Sequence, residues 1–417
     1  MMEYFAVEGP RPLQGCVTIQ GAKNSALPIL AATLLADGES VIHNCPALTD
    51  CAVALEILSC LGCRVRREGT TVTVDTTHRR GHTIPDALMG RMRASVLFLG
   101  ALLARDRAAV ACWPGGCALG ARPIDLHLRA FQGLGAQVRS WNGQLFLTSR
   151  GLYGRRLALP IPSVGATENA MLAACGARGL TTIVGAAREP EIVDLQRFLN
   201  AMGARVSGAG SPMITIQGGA PLHPAEHTVM GDRIAAATYL CAVGAAGGEL
   251  RLTGVDPADL AAVCCCLEEA GCRLHTDGEG LSIAASGRMR GIRTVRTAPY
   301  PGFPTDAQAI LMAALAGGTG TTMIVENMFD SRYRHVDELA RMGADIQLAG
   351  RVAVVTGSRL HGAAVRSTDL RGGAALVVAA LGAEGVSRVS GLSHIRRGYQ
   401  GLDDSLSALG ADIRTQL

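Results

Sequence analysis

The pentapeptide Leu61-Gly62-Cys63-Arg64-Val65 is one copy of a pattern that occurs six times along the chain and decides its fold. The other copies are Leu134-Gly135-Ala136-Gln137-Val138, Met202-Gly203-Ala204-Arg205-Val206, Ala270-Gly271-Cys272-Arg273-Leu274, Met342-Gly343-Ala344-Asp345-Ile346 and Leu409-Gly410-Ala411-Asp412-Ile413. The repeated glycines are 67 to 73 residues apart. A glycine between an amphipathic run and an apolar run is typical of a helix end, where it adopts a left-handed conformation before the next strand. The pattern therefore predicts six copies of one structural unit.

Each repeat also contains an earlier segment that is apolar on every side, such as 169–174. A strand follows it, as in 181–184, and then comes the amphipathic helix that ends at the repeated glycine. Each repeat thus reads strand, helix, strand, helix, strand, strand. Because one helix of each pair is apolar all round, we expect a buried inner helix and an outer surface helix.

We expect two domains of three repeats each. The chain has 417 residues, and a single hydrophobic core rarely extends beyond about 250–300 residues. The break is expected in the stretch 221–231, which bears proline, histidine and glycine. The opening strand, before Gly21, is expected to pair with the second half. The predicted domains are therefore 22–229, and 1–21 together with 230–417.

The composition excludes several classes of function. Hydrophobic residues make up 48% and charged residues 18%, which is typical of a globular protein. The net charge is +4 without a run of five or six like charges, so the dispersed arginines suit a small anionic ligand better than a nucleic acid. The long uncharged stretches, 206–225 and 307–325, are too polar and too rich in glycine for a membrane span.

The cysteines indicate a reducing compartment. There are 13, an odd number that includes the contiguous Cys264-Cys265-Cys266, and this favours free thiols in the cytoplasm. The start of the chain has no basic region followed by an apolar stretch, so we expect no signal peptide. Cys60 and Cys63 lack a second pair or a histidine at zinc spacing, so we expect no metal site.

Polar residues interrupt the apolar segments mainly at predicted helix starts, where backbone N–H groups and the positive end of the helix dipole converge. Asp50 and Asp256 are interpreted there as N-caps. A cation at a helix start is repelled by the positive end of the helix dipole, and a bound anionic ligand would offset this repulsion. The candidate anion-binding residues on this argument are Lys23, Arg93, Arg122 and Arg397. The alternative is that each is a solvated surface cation.

The segment from Trp113 to Pro123 contains three glycines and is predicted to be an exposed loop. Cys117 lies in it, with Arg122 near enough to favour its thiolate. The alternative is an inert loop thiol. The glycines lack the spacing of a dinucleotide fingerprint, which disfavours a nucleotide cofactor.

Six motifs in chain order resemble those of the enolpyruvyl transferases. They are Gly21-Ala22-Lys23-Asn24, Arg93-Ala94-Ser95, Pro114-Gly115-Gly116-Cys117 with Gly120-Ala121-Arg122-Pro123, Ser163-Val164-Gly165-Ala166-Thr167, Phe303-Pro304-Thr305-Asp306 and Arg397-Gly398-Tyr399. Each motif alone is a weak signal, but all six in order are specific and cover nearly the whole chain. The resemblance implies an α/β fold, a two-domain inside-out α/β barrel built from six βαβαββ units. It also implies a reaction without a metal or an organic cofactor.

The resemblance is strongest to the branch of the family that acts on UDP-N-acetylglucosamine. It implies transfer of the enolpyruvyl group of phosphoenolpyruvate to the 3′-hydroxyl of this sugar nucleotide, with release of phosphate. That reaction is the first committed step of peptidoglycan synthesis. The implied partners are these two small molecules. Neither a nucleic acid, a membrane nor a protein partner is indicated.

The resemblance also implies roles for single residues. Cys117 would protonate the methylene carbon of phosphoenolpyruvate, and Asp306 would accept the proton of the sugar hydroxyl, with Lys23 and Arg397 completing the catalytic set. The implied substrate-binding residues are Lys23, Asn24, Arg93, Arg122, Pro123, Ile124, Asp125, Leu126, Ser163, Val164, Gly165, Asp306, Met328 and Arg371. The stretch 122–126 matches uridine-binding residues, and 163–165 suits the diphosphate.

One position departs from the family pattern. Ile161-Pro162 precede Ser163 where some members have a lysine, so one nucleotide contact is expected to be absent or made by the backbone.

Two other functions stay open. A related transferase acts on shikimate 3-phosphate, but that branch uses no loop thiol, so the Pro-Gly-Gly-Cys loop argues against it. A catalytically silent protein that binds a UDP-sugar is disfavoured because Cys117, Asp306 and Arg397 are all present. If the thiol is exposed, an epoxide phosphonate such as fosfomycin is expected to alkylate Cys117.

Overall fold

The structure is a computed structural model, and it describes residues 3–115, 123–278 and 280–417. Two of the candidate residues, Cys117 and Arg122, lie outside the described residues.

Most helices and strands follow one another in the repeating order that the sequence predicts. Two repeats differ over the described residues: the second has the isolated bridge between Thr83 and Val110 in place of an opening strand, and the sixth has one strand instead of two after its last helix. The α-helices are α1 (Lys23–Ala32), α2 (Thr49–Cys60), α3 (Asp86–Met89), α4 (Leu97–Asp106), α5 (Asp125–Gly133), α6 (Val164–Cys175), α7 (Pro190–Ala201), α8 (Arg233–Ala246), α9 (Ala261–Glu269), α10 (Thr305–Ala316), α11 (Val336–Arg341), α12 (Leu370–Gly382), α13 (Leu392–Ile395) and α14 (Leu402–Ala408). Short 3-10 helices span Thr33–Leu35, Arg93–Val96 and Pro257–Leu260. The strands are β1 (Tyr4–Gly9), β2 (Leu13–Thr18), β3 (Glu39–His43), β4 (Arg64–Glu68), β5 (Thr71–Asp75), β6 (Ala108–Cys112), β7 (Gln137–Trp141), β8 (Gln144–Thr148), β9 (Arg156–Ala158), β10 (Gly179–Val184), β11 (Arg205–Ser207), β12 (Met213–Gly218), β13 (Glu226–Thr228), β14 (Gly248–Thr253), β15 (Arg273–Thr276), β16 (Gly280–Ala285), β17 (Thr294–Arg296), β18 (Thr321–Val325), β19 (Asp345–Ala349), β20 (Val352–Thr356), β21 (Ala364–Arg366), β22 (Gly385–Ser390) and β23 (Asp412–Gln416).

The described residues form two compact units, each with its own hydrophobic core. We call residues 21–115 and 123–230 the N-unit, and residues 3–20 and 231–417 the C-unit. Both cores consist mainly of Ala, Leu, Ile and Val, as expected for a chain with only 4% aromatic residues.

In the N-unit, three sheets surround the apolar helices. The sheets have the strand orders β13-β3-β5-β4, β6-β8-β7 and β11-β12-β10-β9. Helix α4 packs against both α1 and α6, and ten consecutive residues of α6, 166–175, are buried. A helix that is apolar on all sides can satisfy every face only inside such a core. This confirms the expected inner helices.

The C-unit repeats this plan. Its sheets have the orders β21-β22-β1-β23, β15-β16-β14-β2 and β17-β18-β20-β19, and its inner helices α8, α10 and α12 pack against one another. Helices therefore lie inside and sheets outside in each unit. The predicted α/β fold class is confirmed.

The six repeated glycines end the outer helices α2, α5, α7, α9, α11 and α14, as predicted. All six have φ between 84° and 99°. The amide after each glycine bonds to the carbonyl five residues earlier; in the first repeat Cys63 N donates to Leu58 O at 3.0 Å. This is the Schellman arrangement, which satisfies the last carbonyls of a helix and requires a left-handed residue.

Two strands pair outside their own repeat. Strand β2 pairs in parallel with β14 of the C-unit, whereas β13 pairs in parallel with β3 of the N-unit. Strand β1 lies between β22 and β23. The opening segment therefore pairs with the second half of the chain, as expected. The chain passes from one unit to the other at 20–21 and at 230–231, directly before the inner helices α1 and α8.

Across the described residues, no helix has the length and apolar character needed to cross a membrane.

Candidate functional site

In the N-unit, Lys23 is the first residue of α1. The residue before it, Ala22, offers no side-chain cap, and the Nζ of Lys23 lies 3.2 Å from Oδ2 of Asp50. Both side chains are nearly buried, with 12% and 5% of their surfaces exposed. Lys23 is also the only lysine in the chain. A lysine offers a compact charge with three donors, which an arginine does not reproduce.

The structure corrects the expectation for Asp50. It is the second residue of α2, and its carboxylate faces Lys23 instead of capping the helix. The residue at the cap position is Leu48, which has no side-chain acceptor. By contrast, Asp256 caps its 3-10 helix as expected, accepting from Ala258 N at 2.9 Å.

Arg93 begins a 3-10 helix that leads directly into α4. Its Nη2 donates to the carbonyl of Pro123 at 3.1 Å, so two candidates thirty residues apart are in contact. Ile124 is buried, Asp125 starts α5 and Leu126 is half-buried. The described part of the predicted uridine-binding stretch therefore lies beside Arg93.

Ser163 is the N-cap of α6, and its hydroxyl accepts from Ala166 N at 3.4 Å. Val164 and Gly165 form the first turn and are half-buried. A Cβ at Gly165 would lie 3.0 Å from Cε1 of the buried His127. Glycine at this position lets the imidazole lie against the start of the helix.

His127 was not identified from the sequence. Its Nδ1 lies 2.8 Å from the Asn169 amide nitrogen, which also donates to Val96 O. Because the amide N–H donates, Nδ1 accepts and Nε2 carries the proton of the neutral ring. The available signal was the run of three polar residues Thr167, Glu168 and Asn169 inside the otherwise apolar helix α6.

The core of the N-unit also contains a carboxyl group. Glu168 lies on α6 and is 3% exposed. Burial raises the pKa of Glu168 well above its usual value, and the nearby Glu191 and Glu189 raise it further.

In the C-unit, Asp306 is the second residue of α10, and two arginines hold its carboxylate. Oδ1 accepts from Arg332 Nη2 at 2.6 Å, and Oδ2 accepts from Arg371 Nη2 at 3.3 Å. Both arginine side chains are buried, whereas Asp306 keeps 31% of its side-chain surface exposed. Charge-assisted contacts of this kind fix the orientation of a carboxylate while leaving a face open to a ligand.

Arg371 is held from its other side by a buried hydroxyl network. Its Nη1 donates to the Tyr399 hydroxyl at 3.2 Å, and that hydroxyl lies 2.8 Å from Thr238 Oγ1. Burial alone would lower the pKa of Arg371, but Tyr399 and Asp306 outweigh this effect and raise the pKa above its usual value. The guanidinium therefore stays charged beside Asp306.

The other two inner helices of the C-unit are capped by carboxylates. Asp232 accepts from the amides of Ile234 and Ala235 at the start of α8, at 2.9 and 3.0 Å. Asp369 accepts from the first amides of α12 at 3.1 and 3.0 Å.

Two further candidates lie in connecting segments of the C-unit. Met328 follows β18 in an exposed turn. Arg397 was expected at a helix start, and this was wrong: it lies between α13, which ends at Ile395, and α14, which begins at Leu402. Gly398 and Gly401 in this segment favour a turn over a continuous helix.

The sequence resembles one known family over nearly its whole length. The family model of EPSP synthase (3-phosphoshikimate 1-carboxyvinyltransferase) matches residues 7–406. The chain belongs to this family. Family members of similar sequence include UDP-N-acetylglucosamine 1-carboxyvinyltransferase 2 of Caldanaerobacter subterraneus, 47% identical over 99% of both chains, and the UDP-N-acetylglucosamine 1-carboxyvinyltransferase of Myxococcus xanthus, 46% identical over 100% of both.

Solved structures in the family agree with the fold. The enolpyruvyl transferase NikO of Streptomyces tendae superposes with a TM-score of 0.90 at 28% identity, over 100% of this chain and 99% of that one. The EPSP synthase of Acinetobacter baumannii gives 0.76 at 18% identity over 100% of both chains, which shows the fold alone. The resemblance to the enolpyruvyl transferases is confirmed.

Arg332, which donates to the carboxylate of Asp306 in the C-unit, was not predicted from the sequence as a site residue. The surrounding Asp330-Ser331-Arg332-Tyr333 resembles an exposed polar turn, yet Arg332 is 2% exposed.

Among the described residues, no group of three or more His, Cys, Asp or Glu side chains could hold a metal ion, and the twelve described cysteines are free thiols.

Proposed function

We propose that this chain transfers the enolpyruvyl group of phosphoenolpyruvate to the 3′-hydroxyl of UDP-N-acetylglucosamine and releases phosphate. The observation that carries the proposal is the identity of 45% to 47%, over nearly the full length, to relatives named UDP-N-acetylglucosamine 1-carboxyvinyltransferase. On this proposal the chain would act in the cytoplasm, at the first committed step of peptidoglycan synthesis.

The N-unit suits the binding of the anionic donor. Phosphoenolpyruvate carries a phosphate and a carboxylate, and such groups bind best to fixed cations and to backbone N–H groups at a helix start. Lys23 stands at the start of α1, where no described side chain caps the helix. Arg93 stands at the start of the helical segment that continues into α4. We assign the donor to these two residues.

The nucleotide sugar is assigned to two further segments of the N-unit. Residues 123–126 lie beside Arg93, and residues 163–165 begin α6. The first turn of α6 offers backbone N–H groups to a diphosphate. Ile161 is exposed just before this turn, so the diphosphate would be bound by backbone groups where some relatives offer a lysine.

The chemical steps require one proton donor and one proton acceptor. Cys117 would give its proton to the methylene carbon, leaving positive charge on the adjacent carbon. The 3′-oxygen would then form a bond to that carbon while its proton passes to Asp306. The Cys117 thiolate would then take back a proton from the methyl group as the carbon–oxygen bond to phosphate breaks, which restores the double bond and releases phosphate.

Asp306 suits the role of proton acceptor. The guanidiniums of Arg332 and Arg371 favour the ionised form of its carboxylate, and a face of Asp306 remains exposed. A positioned acid or base typically contributes about 10²–10⁴-fold to a rate.

A second candidate acceptor is shikimate 3-phosphate, because the matching family model is described as 3-phosphoshikimate 1-carboxyvinyltransferase. A phosphate-release assay with phosphoenolpyruvate and each acceptor separates the two. Release with UDP-N-acetylglucosamine alone is the expected result. Release with shikimate 3-phosphate alone would overturn the proposal, and so would calorimetric binding of the nucleotide sugar without any turnover.

A further inference from the structure

We propose that Glu326, the residue after β18, is a positioning residue for this reaction. It ties the start of α10, which carries Asp306, to the turn that carries Met328. The inference rests on the proposed function, and it concerns how Asp306 is oriented for its role.

One oxygen of Glu326 organises the turn after β18. Oε1 accepts from Met328 N at 2.7 Å and from Phe329 N at 3.1 Å. The Thr297 hydroxyl also donates to Oε1, at 2.9 Å. The backbone around Met328 is therefore fixed by two hydrogen bonds to a single carboxylate oxygen.

The other carboxylate oxygen of Glu326 contacts the start of α10, the helix that carries Asp306. Oε2 accepts from the Thr305 hydroxyl at 2.9 Å, and Thr305 is the first residue of α10, next to Asp306. Since Asp306 follows Thr305 directly, this bond fixes the backbone from which the Asp306 carboxylate extends.

A second connection runs from the same turn back to Asp306. Arg332 lies six residues after Glu326, and its Nε and Nη2 donate to Thr305 O at 3.1 and 2.9 Å. Its Nη2 also donates to Asp306 Oδ1. Glu326 thus acts on Asp306 through Thr305 and through the turn that leads to Arg332.

Glu326 is fully buried, with an exposed fraction of 0%. A buried carboxylate is destabilising unless several donors compensate it, and here four donors do so. A carboxylate at this place therefore depends on all four donors, which an apolar side chain at a purely scaffolding position would not need.

The other repeats show that the fold does not need a carboxylate here. The residues that follow the equivalent strands β3, β6, β10, β14 and β22 are Asn44, Trp113, Gly185, Gly254 and Gly391. Only the repeat that carries Asp306 has an acid at this position. This restriction points to a role in the reaction rather than in the repeat architecture.

The decisive test compares two substitutions of Thr305. Thr305→Val keeps the shape but loses the hydroxyl donor, whereas Thr305→Ser keeps the donor. We expect Thr305→Val to lower kcat by about 10–100-fold, with the KM for phosphoenolpyruvate nearly unchanged. Thr305→Ser should restore most of the wild-type kcat.

Variants of Glu326 test whether its hydrogen bonds to the turn around Met328 matter for the reaction. Glu326→Gln retains an acceptor for the amides of Met328 and Phe329 and can donate to the Thr305 oxygen, so it should keep most of kcat. Glu326→Ala removes every contact, so kcat should fall and the KM for UDP-N-acetylglucosamine should rise. If Glu326→Ala does not fold, the Thr305 pair still decides.

Thr322→Val is the matched structural control. The buried Thr322, on β18, accepts from Ile292 N at 2.9 Å and lies in the same unit. It should lower the Tm without lowering kcat.

The outcomes separate this inference from the proposed function. Wild-type protein that releases no phosphate overturns both. Active wild-type protein with an unchanged kcat in Thr305→Val overturns the inference alone. Equal losses of kcat in Thr305→Val and Thr305→Ser would also overturn it, because the hydroxyl would then not be the cause.

Discussion

The two units share one architecture but treat the starts of their inner helices differently. In the C-unit, Asp232 and Asp369 cap α8 and α12 with their own carboxylates, and α10, which has no side-chain cap, carries Asp306 in its first turn. In the N-unit, α1 has no side-chain cap among the described residues and begins with a lysine, and α6 is capped only by the neutral Ser163.

This difference shows how one fold can serve two purposes. A capping carboxylate satisfies the first N–H groups of a helix and neutralises its dipole. Where the cap is missing or neutral, the same groups can bind an anion from outside. The N-unit therefore suits anion binding, while the C-unit holds a carboxylate, Asp306, in a frame of buried arginines.

The largest effect is expected at that carboxylate. Asp306→Ala should lower kcat by about 10²–10⁴-fold, because the proton acceptor is lost. UDP-sugar binding measured by calorimetry should persist. The control is Asp330→Asn, which changes an exposed aspartate of the same unit. A near-normal kcat in Asp306→Ala would remove Asp306 from the mechanism.

Lys23 tests the anion-binding role of the N-unit. Lys23→Met should raise the KM for phosphoenolpyruvate by about 10–100-fold, since a nearly buried contact with a charged group is lost. The matched control is Arg66→Met, which removes an exposed cation of the same unit.

The unique lysine gives this prediction a direct chemical readout. A lysine-selective reagent can modify only Lys23 and the chain's amino terminus, and peptide mapping distinguishes them. Phosphoenolpyruvate should protect Lys23 from modification. Equal labelling with and without saturating phosphoenolpyruvate would place the donor elsewhere.

Cys117 lies outside the described residues, and its role is a prediction from the sequence. Cys117→Asp should keep kcat within about tenfold of the wild type if the residue chiefly donates a proton. Fosfomycin should inactivate the wild type, with the label on Cys117 by mass spectrometry, and should leave the aspartate variant active. Total loss of turnover in Cys117→Asp would refute the proton-donor role.

Each unit contains a buried ionisable group, His335 in the C-unit and Glu168 in the N-unit, and the two groups contribute pH dependences of opposite sign to stability. In the C-unit, burial lowers the pKa of His335 to about 4, while Asp369 opposes this shift and Arg332 adds to it. Between pH 6.5 and about 4 the unfolded chain binds more protons than the folded one. Acidification through this window should therefore lower the free energy of unfolding.

In the N-unit, the contribution of Glu168 to the free energy of unfolding depends on pH with the opposite sign. Its raised pKa means that the folded state binds more protons above pH 4.5, so its contribution to stability falls as the pH rises. Thermal unfolding at several pH values should show that His335→Gln weakens the loss of stability in acid. Glu168→Gln should raise the Tm at neutral pH. Unchanged pH profiles in both variants would contradict these assignments.

The smallest effect is expected at the neutral cap of the N-unit. Ser163→Ala should lower the free energy of unfolding by about 1 kcal/mol, the usual loss for an N-cap hydroxyl. If backbone N–H groups bind the diphosphate, kcat should change little in this variant. A large fall in kcat would show that the hydroxyl itself takes part in the reaction.

The sequence was sufficient for features that are encoded locally. The left-handed glycine at each outer-helix end depends on a few neighbouring residues, so the repeat predicted all six ends. The fold class was implied by the resemblance to the enolpyruvyl transferases. The apolar helices were predicted equally well, because a segment without a polar face must be buried.

Contacts between side chains that are far apart in the sequence were less predictable, because they depend on how the elements pack. The sequence marked Lys23 and Asp306, but it did not show that Asp50 faces the lysine or that Arg332 holds the aspartate. The buried Arg332 lies in a segment whose composition suggests an exposed turn. Arg397 was predicted at a helix start, but the structure places it between α13 and α14, in a segment that contains Gly398 and Gly401.

If the proposed function is right, this chain makes an enolpyruvyl ether of a UDP-sugar. Mass spectrometry can follow a reaction that contains phosphoenolpyruvate and equal amounts of UDP-N-acetylglucosamine and shikimate 3-phosphate. We expect that the UDP-sugar alone gains an enolpyruvyl group as phosphate accumulates. An unchanged UDP-sugar beside converted shikimate 3-phosphate would contradict it.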